Sequence, residues 1–384
     1  MGIVIGVDAS RNRSGGAKAH IIGILSSADP TAHGVEKVHL WSYPGLLKAI
    51  PDAPWLVKHS PPELERSLLQ QVMWQYRSLP EEAARQGCDI LLNTDAGTVC
   101  PFAPAVVMSR DMLSYEDKEM NRFGFSLMWL RLLLLKYIQS RSLKKAQGAI
   151  FLTEYAARTI QNCAGRLDNI AIVPHGMGEN FRKESSLGVW NGRQQEQIRC
   201  IYVSNALLYK HQWHVIRAIA KLRAQGYKLS LLLVGGGEGK AQEMLLQEMA
   251  LADPKGEFVR QLDFVEHGQI PELIGEADIF IFASSCENMP NTLVEGMAGG
   301  LPIASSDRGP MPEVLRDGGV YFDPEDSDSI ASAVERIVTD RELREGIARR
   351  AKLLSEQYSW RRCAAETYRF LGETARKVKA NKKH

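Results

Sequence analysis

Two carboxylates and a lysine have types and positions suited to an extended, phosphate-bearing ligand. Glu287 and Glu295 are separated by the seven residues Asn288 to Val294. The run Ile279 to Ala283 ahead of them is short, apolar, β-branched and aromatic, which are the marks of a strand buried on both faces of a parallel sheet. It ends at Ser284-Ser285. Asn288, Pro290 and Asn291 then turn the chain toward a short helix expected over Thr292–Ala298 and stopped by Gly299-Gly300. Strand, loop and helix start in that order leave backbone N–H groups unpaired at the carboxyl end of a sheet, where a diphosphate binds. Glu287 falls at the strand exit and Glu295 one turn into the helix. That separation suits hydrogen bonds to two sets of hydroxyls, such as a sugar at one end of a ligand and a ribose at the other, and neither acid need transfer a proton. Lys210 stands after another expected strand, Ile198–Val203, and just before a helix. A fixed ammonium there can neutralise charge developing on a departing diphosphate, a contact worth about 3 kcal/mol in a transition state.

The elements that position these groups follow a β-then-α rhythm, the pattern of a parallel sheet. Strands are expected at Gly2–Val7, Lys37–Trp41, Ile90–Asn93, Ala105–Met108, Ala149–Leu152 and Ile170–Pro174, then at Ile198–Val203 and Leu229–Val234, with a strand and loop over Gln261–Gly268. A polar loop, Asp8–Gly16, precedes a helix over Ala17–Ser26, and its Gly15-Gly16 pair lets backbone approach a ligand closely or simply makes a flexible turn. The glycine turn that begins at Gly235 matches no phosphate-loop or dinucleotide pattern. Val234 and Ala241 occupy positions where a phosphate loop needs Gly and Ser or Thr, and Lys240 stands where a dinucleotide fingerprint needs Gly. His175 reads as a turn residue, and residues 183–197 as a polar surface linker.

Composition bounds the rest. At 384 residues, 45% hydrophobic and 24% charged, the chain is long enough for two domains with their own cores. A net charge of +2 gives no general reason for nucleic acid to bind. Six scattered cysteines without metal-ligand spacing read as reduced packing residues of a cytoplasmic protein. The amino terminus reads as a first strand and not as a signal peptide, and Phe123–Leu135, interrupted by Arg131, is too short to span a bilayer.

One helix is lopsided. Over residues 121–145, Leu127, Leu130, Leu134 and Ile138 form a stripe, and Arg141, Lys144 and Lys145 gather at the carboxyl end. Packing of this stripe on the sheet, with cations placed to suit the helix dipole, is the expected arrangement; a contact with anionic membrane is the other. Arg376, Lys377, Lys379, Lys382 and Lys383 make a basic end, expected to be a solvated terminus or else a second anionic-lipid contact.

Glu287 to Glu295, followed by GMAGGLPIASSDRGPMPEV, resembles the donor-binding motif of retaining glycosyltransferases of the GT-B fold, in the large family numbered four, the glycosyl transferases group 1. The wording around YKHQ (Tyr209–Gln212) and Arg110-Asp111 is similar to that of bacterial surface-polysaccharide mannosyl- and deoxyhexosyltransferases. The resemblance implies an α/β protein of GT-B architecture, two Rossmann-like domains with parallel sheets facing a central cleft. It implies an acceptor-binding domain over 1–176, completed by a carboxyl-terminal helix within 361–384, and a nucleotide-sugar domain over 177–360.

Residue by residue, the resemblance implies that Glu287 contacts donor-sugar hydroxyls, that Glu295 contacts the ribose, and that Asn288, Met289, Pro290, Asn291, Thr292 and Leu293 line the donor, with the amides of Asn291 to Leu293 on the diphosphate. Lys210 joins Glu287 as a catalytic group, Gly235 lies close to the nucleotide, and Gly15 and Gly16 lie between acceptor and donor phosphates. Many relatives have a His-Asp pair where this chain has Arg110-Asp111. Arg110 would instead bind an anionic acceptor group or pair with Asp111.

The implied reaction moves a hexosyl group with retention from a nucleotide-diphosphate sugar to a glycan or lipid-linked glycan acceptor. GDP-mannose or a related GDP-deoxyhexose stands ahead of a UDP-sugar as donor. The nucleotide sugar is a co-substrate and no further cofactor is implied. No Asp-x-Asp motif precedes a metal-dependent site, so no metal is expected, and neither is a nucleic-acid partner. The expected location is cytoplasmic, with peripheral contact at the inner face of a membrane as an extension. A nucleotide-sugar epimerase of the same fold and a non-catalytic sugar-nucleotide or partner-binding subunit are the alternatives.

Overall fold

The computed structural model describes residues 2–13, 15–182 and 197–381. The chain divides into two compact units, one of residues up to Gly176 together with those from Tyr358 onward, the other Met177–Gln357.

The first unit is built on seven strands: β1 Ile3–Asp8, β2 Val35–Trp41, β3 Leu56–His59, β4 Ile90–Asn93, β5 Ala105–Met108, β6 Gly148–Phe151 and β7 Ile170–Ile172. They pair in the order β3-β2-β1-β4-β5-β6-β7, and every pairing is parallel. β4, β5 and β6 are buried at every position, which explains why they read as continuous apolar runs without alternation. The order reverses between β1 and β4, so the loops leaving those two strands open a crevice at their carboxyl ends. On the other side of β1 the core closes around Trp41 and Trp74. Both indoles donate to the carboxylate of Glu82, at 2.7 and 3.0 Å, so neither buried N–H lacks a partner.

Helix Trp360–Asn381 belongs to this unit and packs on helix Gly15–Ser27. The Trp360 ring lies where Gly23 has no side chain; a Cβ on Gly23 would come within 2.2 Å of it. His175 stacks on His20 with ring centroids 4.5 Å apart, and both are buried beside Trp360. His175 is therefore a packing residue of this junction.

Several sequence-based expectations are corrected here. The first helix begins at Gly15, so Gly15 and Gly16 are its opening residues and not part of the preceding loop. The stretch 121–145 is not one helix: Gly124 at φ +59° separates a short turn of helix, Asp117–Asn121, from Leu127–Lys145. Leu127, Leu130 and Leu134 do not pack on the sheet but face solvent, 87, 59 and 58% exposed. The buried face is instead Leu132, Gln139 and Leu143, fixed by Ser114 donating to Gln139 and by Ser142 bonding to Ala96. Arg376, Lys377 and Lys379 lie in the ordered helix Trp360–Asn381, where Lys379 pairs with Asp89 at 2.7 Å. Lys382, Lys383 and residues 183–196 of the expected linker lie outside the described residues.

The second unit has six strands: β8 Ile198–Val203, β9 Leu229–Val234, β10 Val259–Leu262, β11 Ile279–Phe282, β12 Ile303–Ser306 and β13 Val320–Phe322. Their order is β10-β9-β8-β11-β12-β13, again parallel throughout, and it reverses between β8 and β11. β10 sits earlier than the sequence suggests, which leaves residues 263–266 as a loop with Phe264 exposed. Helix Asn291–Ala298 lies on the sheet with Gly296 over the Phe280 ring, where a Cβ would approach within 2.8 Å. Helix Ser327–Thr339 opens with Asp326 accepting from the amide of Asp328.

Candidate active site

The residues singled out in the second half of the sequence come together at the carboxyl ends of β8, β9 and β11, where the strand order reverses. Lys210 follows β8 and Glu287 follows β11, and the Lys210 ammonium donates to Glu287 Oε1. Both side chains are mostly buried, 13 and 16% exposed. An ion pair this shielded is held by more than Coulomb attraction, because desolvation of the two charges opposes it. Here the loops are tied to each other. Ser285 donates its N–H to the Tyr209 carbonyl at 2.8 Å, and the His211 ring lies 2.9 Å from the Ser285 hydroxyl. Tyr202 in β8 donates to the Lys210 carbonyl at 2.8 Å. His211 adopts a left-handed backbone, φ 50°, which turns the chain sharply from the Lys210 loop into helix Gln212–Ala224.

The glycine turn after β9 is built for close approach. Gly235 has φ +119°, and a Cβ there would lie 2.6 Å from the Ser204 carbonyl oxygen. A Cβ on Gly237 would lie 2.6 Å from the Ala206 oxygen. The turn thus lies against the loop that carries Lys210, joined to it by Ala206 N–H donating to Gly236 at 3.0 Å.

Asn288, Met289, Pro290 and Leu293 are buried, and Asn291 and Thr292 half-buried, so what this stretch can offer a ligand is chiefly backbone. The helix begins at Asn291. The Asn291 amide is taken by the Met289 carbonyl at 3.0 Å and that of Val294 by Pro290 at 3.2 Å. This narrows the expected trio of amides: those of Thr292 and Leu293, in the first turn, have no partner among the described residues and are the donors available to an anion.

Glu295 is buried on this helix and its Oε1 lies 2.9 Å from His267 Nε2. Burial holds the Glu295 carboxyl above its ordinary range, opposed by His267, and the hydrogen bond to Glu295 raises the imidazole of His267 in turn. His267 was not singled out from the sequence. It lies 28 residues from Glu295 in a polar loop, and no local pattern signals the pairing.

In the first unit, Gly15 and Gly16 follow β1 and Arg110 and Asp111 follow β5, all at carboxyl ends of strands. The Arg110 guanidinium is buried near two carboxylates, Asp95 and Asp111, and both favour its charged form. Its Nη2 lies 3.6 Å from a carboxylate oxygen of Asp95, after β4, and 3.5 Å from Asn12 Oδ1, and its Nε is buried with no hydrogen-bond partner among the described residues. Asp111 accepts from the Leu113 amide at 3.1 Å, and burial raises its carboxyl. Asn12 fixes the β1 loop by donating to the Ala17 carbonyl and accepting from Thr94. Gly15 has open space where a side chain would project.

Residues 190–354 match the family model described as glycosyl transferases group 1. The chain is similar to named relatives over part of their lengths. O-antigen chain mannosyltransferase B of Escherichia coli is 29% identical over 136 residues, 35% of this chain and 35% of that protein. An uncharacterized glycosyltransferase of Methanocaldococcus jannaschii is 29% identical over 232 residues, 59% of this chain and 57% of its own length. The chain therefore spans between about a third and somewhat over half of these curated relatives. The solved structure of Anabaena HepE in complex with UDP-glucose superposes with a TM-score of 0.70 at 17% identity, covering 98% of this chain and 100% of that one. The likeness extends over both units, and the protein has the two-domain α/β GT-B fold expected from the resemblance.

Proposed function

We propose that this protein is a retaining hexosyltransferase, moving a sugar from a nucleotide-diphosphate donor to a glycan or lipid-linked glycan acceptor in surface-polysaccharide synthesis. The observation that carries the reading is the Lys210–Glu287 pair at the strand-order reversal of the group 1 region, beside the two unpartnered amides of Thr292 and Leu293. In this reading Glu287 orients the donor-sugar hydroxyls, Asn288 to Leu293 line the donor, Gly235 lies near the nucleotide, and Glu295 accepts from the ribose. Lys210 and the two amides take up negative charge on the diphosphate. The acceptor oxygen bonds to the anomeric carbon as the bond from that carbon to the diphosphate oxygen breaks. The acceptor's proton passes to that departing oxygen on the same face, so configuration is retained and no protein base is required. Charge on the leaving group is met by protein donors, and no divalent metal takes part in this scheme. Gly15, Gly16, Arg110 and Asp111 serve the acceptor, with Arg110 turned toward an anionic group on it.

The donor is placed first among GDP-mannose and related GDP-deoxyhexoses, by analogy with the mannosyltransferase relative. The HepE complex motivates a UDP-sugar arm. Incubation with radiolabelled GDP- and UDP-sugars, with and without EDTA, tests the reading. Donor hydrolysis or transfer that persists in EDTA is the expected result. Tight donor binding with no turnover would instead mark a binding subunit, and interconversion of the free donor an epimerase.

A membrane-bound acceptor is favoured by a surface of the first unit. Phe125, Leu127, Leu130, Leu134 and Tyr137 are all more than half exposed, with Arg131, Arg141, Lys144 and Lys145 on the same helix. No helix among the described residues is long and apolar enough to cross a membrane. A face of this kind lies on an anionic bilayer, with leucines in the acyl boundary and cations at the headgroups. The double substitution Leu127→Glu, Leu130→Glu is expected to abolish co-sedimentation with vesicles containing phosphatidylglycerol while leaving the circular dichroism spectrum unchanged. Undiminished co-sedimentation would remove the helix from the contact.

A further inference from the structure

The contact between His267 and Glu295 carries an inference beyond the ribose role proposed for Glu295, on which it rests. His267 opens a short turn, His267–Gln269, in the loop after β10, and its side chain is 60% exposed. Its ring packs against Phe181 with centroids 5.3 Å apart, and its Nε2 reaches one oxygen of a carboxylate that is otherwise almost wholly buried. The other oxygen, Oε2, is buried with no hydrogen-bond partner. A buried carboxylate oxygen without a donor is costly, and such a group in a folded protein points to a missing partner.

We propose that His267 is a positioning residue for the nucleotide: by holding Glu295 Oε1 it fixes the carboxylate plane and leaves Oε2 as the acceptor for a ribose hydroxyl. The two ends of the contact divide the work. Phe181 limits rotation of the imidazole, and the imidazole limits rotation of the carboxylate, so the free oxygen is presented in one direction before ligand arrives. Preorganisation of this kind improves affinity by removing ordering that binding would otherwise require.

Charged groups lie on several of the elements near the pair among the described residues, including those of helix Arg341–Ser355, which packs on helix Asn291–Ala298. Asp263 and Glu266 lie on the loop of His267, Glu272 on helix Ile270–Gly275, and Glu179 and Arg182 on the turn that carries Phe181, the last two 3.5 Å from each other. Helix Asn291–Ala298 contributes only Glu295. Burial pushes Glu295 toward its protonated form and His267 opposes that. A protonated Glu295 cannot offer the same acceptor, so nucleotide affinity falls as the solution becomes acid. Without His267 the carboxyl protonates at higher pH, and the acidic limb moves upward.

Isothermal titration of the full chain with GDP, UDP and their 2′,3′-dideoxy forms between pH 5.5 and 8.5 tests this. His267→Ala is expected to weaken the better-bound ribonucleotide about tenfold near neutrality, the scale of one hydrogen bond to a charged group, and to shift the acidic limb to higher pH. His267→Gln, which keeps a donor without the positive charge, is expected to restore most of the affinity but not the pH profile. The dideoxy nucleotides should bind wild type and both variants alike. Wild-type affinity and pH profile in His267→Ala, beside weakened binding by Glu295→Gln, would overturn this inference alone. Failure of the wild type to bind either ribonucleotide, or full binding by Glu295→Gln, would overturn the ribose assignment and this inference with it.

Discussion

Lys210→Ala is expected to lower turnover of the nucleotide-sugar donor by two to three orders of magnitude, roughly 3–4 kcal/mol of transition-state stabilisation. The ammonium sits in a shielded position, fixed through its own carbonyl by Tyr202 and through its loop by Ser285 and His211. A charge held this way needs no rearrangement when negative charge builds on the leaving diphosphate. Glu287→Ala should lose as much, for a different reason: the sugar loses its orienting acceptor and Lys210 loses the partner that keeps it in place. Because the two side chains bond to each other, their losses should not add, and the double variant should fall little below the worse single one. The loss belongs in kcat, with KM changed less, because the diphosphate charge being met is larger in the transition state than in the bound donor. Steady-state kinetics of the three variants with the best donor from the labelled panel give the answer. Wild-type kcat in either single variant would remove that residue from the chemistry.

Gly235→Ala is the second large effect, and it acts on the fold beneath the site. At φ +119° an alanine is strained whatever the space around it, and its methyl would meet the Ser204 carbonyl oxygen at 2.6 Å and carbon at 2.7 Å. Those are backbone atoms at the end of β8, where the sheet cannot shift without moving the Lys210 loop. Strain and overpacking together should cost about 3 kcal/mol or more. For a unit of this size that is a fall in Tm of roughly 6–12 °C, with donor binding weakened in the protein that remains folded. Gly256→Ala separates conformation from crowding: its φ is +66° but nothing lies within 4 Å of the added methyl. It should cost about 1 kcal/mol, and a melt in which it matched Gly235→Ala would contradict the close approach of the two loops.

The contrast between these residues shows what could be read from sequence. The β11 strand, the turn after it and the short helix each leave a local mark in composition, so the positions of Glu287 and Glu295 at the strand exit and in the helix follow from the sequence. Lys210 needs in addition the assumption that β8 and β11 share one sheet, which they do as neighbours. Short strands with mixed composition escape: β3, with Lys58 and His59, β12, with two serines, and the three-residue β13 have no apolar run to announce them. Leucines supply much of the circumference of helix Leu127–Lys145, so periodicity alone does not rank its faces. His267 and Asp95 were invisible for a different reason. Each meets its partner across a gap of many residues, through loops whose paths follow from the packing of the strands and not from any nearby signal.

Hydrogen exchange of the full chain, with and without a saturating nucleotide-diphosphate sugar, tests the central claim most directly. Donor contact at the reversal between β8 and β11 predicts slowed exchange concentrated in three segments: Tyr209 to His211, Gly235 to Gly237, and Glu287 to Glu295. Saturable binding that leaves all three unprotected, with slowing elsewhere, would contradict it.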